Sequence, residues 1–278
     1  MIEPDSIICG HNIDIMKQID DCSIELTVTS PPYDNLRDYQ GYDFQFEPLA
    51  RELFRVTKQG GVVVWVVGDA TIKGSETGTS FKQALYFKEI GFNLHDTMIY
   101  RKINYLPLTH NRYDQEFEYM FVLSKGIIST FNPIKILSKF GGCEKDWNSK
   151  KNIKEQTARV RNEVTIIGNE KLKANIWSYP IGNIGTDVND HPAPFPEKLA
   201  QDHILSWSNE GDTVLEPMCG SGTTCKMAYK LNRKYIGIDC SENYCRIAEQ
   251  RIADEKRQTK IDFNNKGVEK IPAQEKIP

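Results

Sequence analysis

Long apolar segments are missing from this 278-residue chain, whose mean hydropathy is -0.50. No run of residues has the length and apolarity needed to cross a bilayer, and the N-terminus lacks a basic stretch followed by an apolar one. The seven cysteines include no Cys-X-X-Cys pair, so a zinc site is not indicated. We therefore predict a cytoplasmic protein without a membrane partner or a metal, with reduced cysteines in its core.

A large excess of one charge sign is also absent, because 35 Lys and Arg residues face 38 Asp and Glu residues. The balance varies along the chain, since residues 133–175 hold ten Lys or Arg and five Asp or Glu. Such a segment is either a solvated insertion or a surface that faces a polyanion, because Lys and Arg that contact phosphates release counterions. Composition alone does not decide between the two interpretations.

Strand patterns alternate with helix patterns on both sides of this basic segment. Before it, residues 23–29 and the apolar run 62–67 predict strands, with a helix pattern between them. After it, residues 213–215 and 235–239 predict strands that flank a helix over 223–231. This alternation predicts an α/β protein with a mostly parallel sheet and helices on both faces.

A glycine turn follows the predicted strand 213–215. Gly220 and Gly222 can adopt the backbone conformations that a tight strand-to-helix turn needs. The next strand ends at Asp239, the position at which nucleotide-binding folds hold ribose hydroxyls. The turn lacks the third glycine of G-x-G-x-x-G and the lysine of a phosphate loop, so the predicted ligand is a nucleoside without a phosphate chain. S-adenosyl-L-methionine fits this description.

Two prolines directly follow the predicted strand that ends at Thr29. Pro31 and Pro32 cannot continue a ladder of hydrogen bonds, and they fix the backbone beside Ser30. A fixed carbonyl group and a hydroxyl group can accept both hydrogens of an exocyclic amine, and Tyr33 offers a ring on which a planar base can stack. A proline-terminated edge strand with a surface tyrosine is the alternative interpretation.

With these motifs the chain resembles the β-class exocyclic-amino DNA methyltransferases. Residues 29–33, Thr-Ser-Pro-Pro-Tyr, are similar to the catalytic S/D/N-P-P-Y/F element of that family. Residues 216–224 resemble its D-P-F-x-G-S-G-T-T cofactor loop, and residues 191–199 look like the segment that lines the methionine end of the cofactor pocket. The departures from the family pattern are Glu216 for Asp, Met218 for Phe and Gly10-His11-Asn12 for Gly-Asp.

The resemblance implies a Rossmann-like methyltransferase fold with a mostly parallel seven-stranded sheet and circularly permuted motifs, the catalytic motif preceding the cofactor motif. It also implies an inserted target-recognition region between the two motifs. The expected segments are a catalytic half (1–125), a target-recognition insertion (126–190), a cofactor-binding half (191–255) and a frayed polar tail (256–278).

The motifs, the resemblance and the basic segment together give a candidate site made of three sets of residues. The catalytic set is Ser30, Pro31, Pro32 and Tyr33. The cofactor-binding set is Asn12, Phe195, Glu216, Met218, Gly220, Ser221, Gly222, Thr223 and Asp239. The DNA-binding set, in the basic segment, is Lys150, Lys151, Lys154, Arg159 and Arg161.

The function implied by the resemblance is methyl transfer from S-adenosyl-L-methionine to the N4 amine of a flipped-out cytosine in double-stranded DNA. The Ser-Pro-Pro-Tyr form is associated mainly with cytosine N4, whereas Asp-Pro-Pro-Tyr and Asn-Pro-Pro-Tyr are associated mainly with adenine N6, which is the first alternative. Further alternatives are an RNA or protein-glutamine methyltransferase and a non-catalytic DNA-binding protein. A cognate restriction endonuclease as partner, and a monomer or a homodimer, are both left open.

Overall fold

The fold is given by a computed structural model that describes residues 2–32, 44–105, 112–146, 164–181 and 195–266. The chain divides into two compact units. The first unit takes in residues 1–132 and 175–278, and the second takes in Pro133–Ala174. None of the helices described here is long and apolar enough to cross a membrane.

The described elements alternate as the sequence predicts. In chain order the strands are β1 (Ser6–Cys9), β2 (Ile24–Thr29), β3 (Thr57–Val67), β4 (Thr71–Ile72), β5 (Ser75–Glu76), β6 (Asn93–Lys102), β7 (Phe117–Ser124), β8 (Lys135–Leu137), β9 (Glu144–Asp146), β10 (Val164–Ile166), β11 (Glu170–Leu172), β12 (Ile176–Tyr179), β13 (Thr213–Glu216) and β14 (Lys234–Asp239). The helices are α1 (Asn12–Met16), α2 (Phe46–Val56), α3 (Thr79–Glu89), α4 (Glu197–Trp207), α5 (Thr223–Lys230) and α6 (Glu242–Lys266).

One sheet of eight strands forms the centre of the first unit, in the order β1-β14-β13-β2-β3-β7-β6-β12. Neighbouring strands are parallel except for the two pairs that β7 makes with β3 and β6. The sheet thus has eight strands where the resemblance implies seven, because β12 adds an edge strand beside β6. β12 has four residues, of which Trp177 and Tyr179 are buried, and so short an alternation gives a weak sequence pattern.

Helices cover both faces of this sheet, as predicted. On one face α1, α2 and α3 pack in sequence, and on the other α4, α5 and α6 do so. Trp65 of β3 lies on the first face, where its ring contacts Phe46 and Phe87 at centroid distances of 5.8 and 5.2 Å. The run 62–67 is continuously apolar because β3 is buried on both faces.

The direction of the crossovers changes at the centre of the sheet. From β2 the chain crosses through α2 to β3, whereas from β13 it crosses through α5 to β14 on the opposite side. β2 and β13 are parallel neighbours. In open α/β sheets ligands bind outside the carboxyl ends of the strands at such a switch point. The candidate site therefore lies where β2 and β13 end.

The second unit contains two antiparallel strand pairs, β8 with β11 and β9 with β10. It falls inside the predicted insertion 126–190, whereas β12 of that same segment belongs to the sheet of the first unit. The predicted DNA-binding residues lie outside the described residues. They are Lys150, Lys151, Lys154, Arg159 and Arg161.

The structure differs from two expectations, one about the C-terminal segment 256–278 and one about the burial of the cysteines. α6 continues to Lys266 and so includes the first eleven residues of the segment expected to be a frayed tail. Lys, Arg and Gln make up five of these eleven residues and are good helix formers even without apolar periodicity. The prediction of buried cysteines is right for three and wrong for four. Cys219, Cys225 and Cys245 are buried, whereas Cys9, Cys22, Cys143 and Cys240 are exposed.

Candidate active site

A buried carboxyl group joins the carboxyl ends of β2 and β13. Glu216 ends β13, and its Oε1 accepts a hydrogen bond of 2.5 Å from the hydroxyl of Thr29, which ends β2. Its Oε2 accepts one of 3.0 Å from Thr224 of α5, and the amide of Met218 lies 3.3 Å from Oε1. The strand before Ser30-Pro31-Pro32 and the glycine turn are thus connected through a single side chain.

Burial raises the pKa of Glu216 to about 8. The hydrogen bonds from Thr29 and Thr224 lower this pKa, as does the Met218 amide, and the nearby charge of Asp239 raises it further. The carboxyl group is therefore largely protonated at neutral pH. The Thr224 hydroxyl also lies 3.3 Å from the carbonyl oxygen of Val28. When the protonated Glu216 donates its hydrogen to the Thr224 oxygen, the Thr224 hydroxyl can donate its own hydrogen to Val28.

The turn after Glu216 depends on two glycines with positive φ, Gly220 at 48° and Gly222 at 77°. The amide of Gly222 donates to the carbonyl of Cys219 at 2.7 Å, which closes the turn. A Cβ atom at Gly222 would lie 2.6 Å from Cβ of Ala248 in α6. A side chain at this position would therefore collide with a helix, and φ at both positions favours glycine.

Asp239 holds this turn from the end of β14. Its Oδ2 accepts a hydrogen bond of 2.8 Å from the amide of Gly220, and its Oδ1 accepts one of 2.9 Å from the amide of Ser241. Burial raises the pKa of Asp239, and these two backbone hydrogen bonds oppose that effect. The carbonyl of Asp239 accepts a hydrogen bond of 2.9 Å from Gly10, so β1 ends beside the same turn.

Asn12 begins α1 two residues after Gly10 and is buried. Its Oδ1 accepts a hydrogen bond of 2.8 Å from the amide of Ile13. Its Nδ2 has no hydrogen-bond partner among the described residues. Leaving a buried donor unsatisfied costs about 1–3 kcal/mol. An acceptor on a bound molecule would remove that cost.

The geometry agrees with sequence comparison. The profile of a family described as DNA methylase, covering N6 and N4 methyltransferases, matches residues 24–250. The chain belongs to this DNA methylase family. Two relatives illustrate the range of similarity. The orphan methyltransferase M.BamHII of Bacillus amyloliquefaciens is 54% identical over 246 residues, covering 85% of this chain and 91% of the relative. The type II methyltransferase M.SmaI of Serratia marcescens is 26% identical over 290 residues, covering 88% and 90%.

Solved structures of DNA methyltransferases share the fold of this methylase. The PvuII DNA methyltransferase, described as cytosine-N4-specific, is 18% identical with a TM-score of 0.65, over 94% of this chain and 92% of that one. The M1.HpyAVI complex with S-adenosyl-L-methionine is 19% identical with a TM-score of 0.57, over 88% and 98%. The predicted Rossmann-like fold is confirmed. S-adenosyl-L-methionine, the methyl donor of the family, is the cofactor of this methylase.

The catalytic turn begins where β2 ends. Pro31 is buried, and Ser30 and Pro32 are half-buried. Tyr33 lies outside the described residues, so the structure brings three of the four predicted catalytic residues to the edge that carries the glycine turn. Phe195 is half-buried and stands two residues before α4 begins.

Three residues of this region were not predicted from the sequence as site residues. Thr29 and Thr224 bind Glu216, although both stand inside the motifs. Arg251 of α6 approaches the buried hydroxyls of Ser221 and Thr223 at 3.3 and 3.2 Å. The signal that could have identified it is an arginine within the apolar stripe of a helix.

Proposed function

We propose that this methylase transfers a methyl group from S-adenosyl-L-methionine to the N4 amine of cytosine in double-stranded DNA. The hydrogen bond between Thr29 and Glu216 carries this proposal, because it brings the Ser-Pro-Pro turn beside the glycine turn. The choice of cytosine is supported by the Ser-Pro-Pro-Tyr form of the motif in residues 30–33.

The residues around the glycine turn fit a nucleoside cofactor. Asn12 offers a buried Nδ2 donor that lacks a partner within the described part of the chain, and Asp239 offers a carboxylate for ribose hydroxyls. Gly220 and Gly222 keep side chains away from the turn, and Met218 and Phe195 would supply apolar surface. When bound, S-adenosyl-L-methionine supplies an electrophilic methyl group on a sulfonium.

The catalytic turn would prepare the nucleophile. The target base must leave the duplex stack at a cost of a few kcal/mol, and stacking on Tyr33 would partly compensate for that cost. Ser30 Oγ and the carbonyl of Pro31 would accept the two amine hydrogens and turn the nitrogen lone pair toward the methyl group. The amine nitrogen would take the methyl group that the bound cofactor supplies, S-adenosylhomocysteine would be the leaving product, and the amine would release one proton to water. Much of the acceleration comes from positioning.

Adenine N6 is the runner-up acceptor, because the same two oxygens could hold its amine and the family includes both specificities. Double-stranded DNA is the proposed partner. A cognate endonuclease is not part of the proposal, since the relative that is 54% identical is described as an orphan methyltransferase.

The base assignment is tested by incubating the purified methylase with isotopically labelled S-adenosyl-L-methionine and DNA that contains neither N4-methylcytosine nor N6-methyladenine. Mass spectrometry of the digested nucleosides should find the label in N4-methylcytosine. Label in N6-methyladenine would overturn the base assignment, and no labelled nucleoside from a chain that binds the cofactor would overturn the proposed reaction. A parallel reaction with S-adenosylhomocysteine in place of the methyl donor is the blank. Sequencing of the product DNA gives the context of the modified base.

A further inference from the structure

Arg251 of α6 reaches into the glycine turn from behind. It is 5% exposed and lies in the stripe formed by the buried residues Ala248 and Ile252. Its Nη1 donates a hydrogen bond of 2.7 Å to the carbonyl of Ser221, and the hydroxyls of Ser221 and Thr223 lie 3.3 and 3.2 Å from the same nitrogen. Hydrogen bonds from a guanidinium are stronger than neutral ones, so this contact is a substantial constraint on the turn.

This contact fixes one particular peptide group. The carbonyl of the peptide between Ser221 and Gly222 accepts from Arg251, and its N–H donates to Cys219 at 2.7 Å. The peptide plane is therefore held from both sides. Because Gly222 leaves the backbone free to rotate, an external constraint of this kind is needed to select one orientation of the turn.

Arg251 also holds the beginning of α4. Its Nη2 donates a hydrogen bond of 2.9 Å to Oε1 of Glu197, the first residue of that helix. Lys226 of α5 donates to the same oxygen at 3.0 Å. Glu197 follows Phe195 by two residues, so the guanidinium connects the two segments that we propose to line the cofactor pocket.

We propose that Arg251 is a positioning residue for the cofactor, holding the Ser221–Gly222 peptide and the segment before α4 in the geometry that binds it. This inference rests on the proposed cofactor site at the Gly220–Gly222 turn. An arginine is required, because its planar fork bonds Ser221 and Glu197 at once, whereas the ammonium of a lysine is a single compact group.

The chain offers a matched control in Arg233, which is 8% exposed. Its Nε donates to the hydroxyl of Ser208 at 3.1 Å and its Nη2 donates to the carbonyl of the same residue at 2.7 Å. Arg233 immediately precedes β14, whereas Asp239 ends that strand beside the glycine turn. Arg233 therefore lies at the amino end of β14, away from the turn at its carboxyl end. Replacing it should affect stability without affecting the cofactor.

The experiment compares Arg251→Lys, Arg251→Met and Arg233→Lys in the full chain by calorimetric titration with S-adenosyl-L-methionine and by steady-state kinetics on unmodified DNA. Arg251→Lys should raise Kd and KM for the cofactor about tenfold, as expected for the loss of one charge-assisted hydrogen bond, and Arg251→Met should raise them further. KM for DNA should stay within about twofold of the original chain. Arg233→Lys should lower Tm and leave the cofactor Kd unchanged.

Equal losses of cofactor affinity in Arg251→Lys and Arg233→Lys would overturn the inference, because they would reflect general destabilisation. An unchanged cofactor Kd in Arg251→Lys would also overturn the inference. This variant tests the inference even if Arg251→Met does not fold. Asp239→Ala separates this failure from failure of the proposed site. If Asp239→Ala weakens binding and Arg251→Lys does not, the inference about Arg251 fails alone. If neither weakens binding, the proposed cofactor site fails with it.

Discussion

The hydroxyl of Thr29 lies 2.5 Å from Oε1 of Glu216, and this hydrogen bond joins residues 187 positions apart. Thr29 directly precedes the Ser-Pro-Pro turn, and Glu216 is the first residue of the cofactor loop. Both side chains are buried. Because the contact is formed between neighbouring parallel strands, the two motifs meet whichever of them comes first in the chain. A change in the protonation of Glu216 would therefore act on the hydrogen bond that joins the two motifs.

Glu216→Gln should change how stability depends on pH. The pKa of this carboxyl group is about 8 in the folded chain and 4.5 without the influence of the fold. Between those values the folded chain keeps a proton that the unfolded chain loses, so the free energy of unfolding falls as pH rises. The fall ends above about pH 8. Glutamine does not titrate, so the variant should lack this contribution, which is at most about 1.4 kcal/mol per pH unit.

Urea unfolding at pH 5, 6.5 and 8 measures this difference in slope. The exposed Glu210 supplies a control, because Glu210→Gln should keep the slope of the original chain. The same pH dependence in Glu216→Gln and in the original chain would show that Glu216 loses its proton at its ordinary pKa in the folded protein.

The sequence predicts well what depends on local pattern. Asp239 and the two glycines stand on a strand-turn-helix-strand unit, and parallel strands bring their carboxyl ends to one edge. The structure has Asp239 bonded to the Gly220 amide at that edge. Such an arrangement follows from element order alone, which is why the cofactor loop and its acidic residue could be named together.

Contacts between distant elements could not be predicted in the same way. Arg251 lies in α6, a helix that was not predicted from the sequence, and its partners Ser221 and Glu197 are 30 and 54 positions away. The four-residue strand β12 was missed because Ile176 and Ser178 alternate with buried residues for too short a distance. Periodicity indicates which face of an element is buried and does not indicate what covers it.

Asp239→Ala should weaken binding of S-adenosyl-L-methionine by about 1.5–3 kcal/mol, because it removes a charged hydrogen-bond acceptor. Part of this loss comes from the Gly220 amide, which loses its acceptor. Calorimetric titration measures the change. Asp212 is a control, since it accepts a hydrogen bond of 2.7 Å from the amide of Asn209 before β13 begins. Asp212→Ala should bind the cofactor normally, and unchanged affinity in a folded Asp239→Ala would refute the assignment.

Replacing Lys150, Lys151 and Lys154 with glutamine should weaken DNA binding and make it less dependent on salt. Each phosphate contact that is lost removes about 0.9 from the slope of log K against log salt concentration. Binding at several salt concentrations gives this slope. Replacing Lys82, Lys88 and Lys234, which are exposed in the first unit, should leave it unchanged. An unchanged slope in the first triple variant would favour a solvated insertion.

Tyr33→Ala should weaken capture of the flipped base and lower turnover together. Stacking of a base on an aromatic ring contributes about 1–3 kcal/mol in single-stranded sites. Tyr33→Phe keeps the ring and should retain most of the affinity. Fluorescence of 2-aminopurine next to or in place of the target base reports flipping, and equal signals from the alanine and phenylalanine variants would exclude a stacking role.

Ser30→Ala should slow methyl transfer about 100-fold with little change in DNA affinity. The serine oxygen is proposed to accept a hydrogen from the amine, and this bond strengthens as positive charge develops on the nitrogen in the transition state. An interaction made mainly in the transition state changes the rate of the chemical step more than the binding of the ground state.

Ser30→Asn is the matched control, because its amide oxygen restores an acceptor and gives another form of the family motif. Single-turnover transfer, measured beside DNA binding with S-adenosylhomocysteine present, separates the two effects. Full activity in Ser30→Ala would remove Ser30 from the mechanism, and a loss of DNA affinity as large as the loss of rate would make it a binding residue instead.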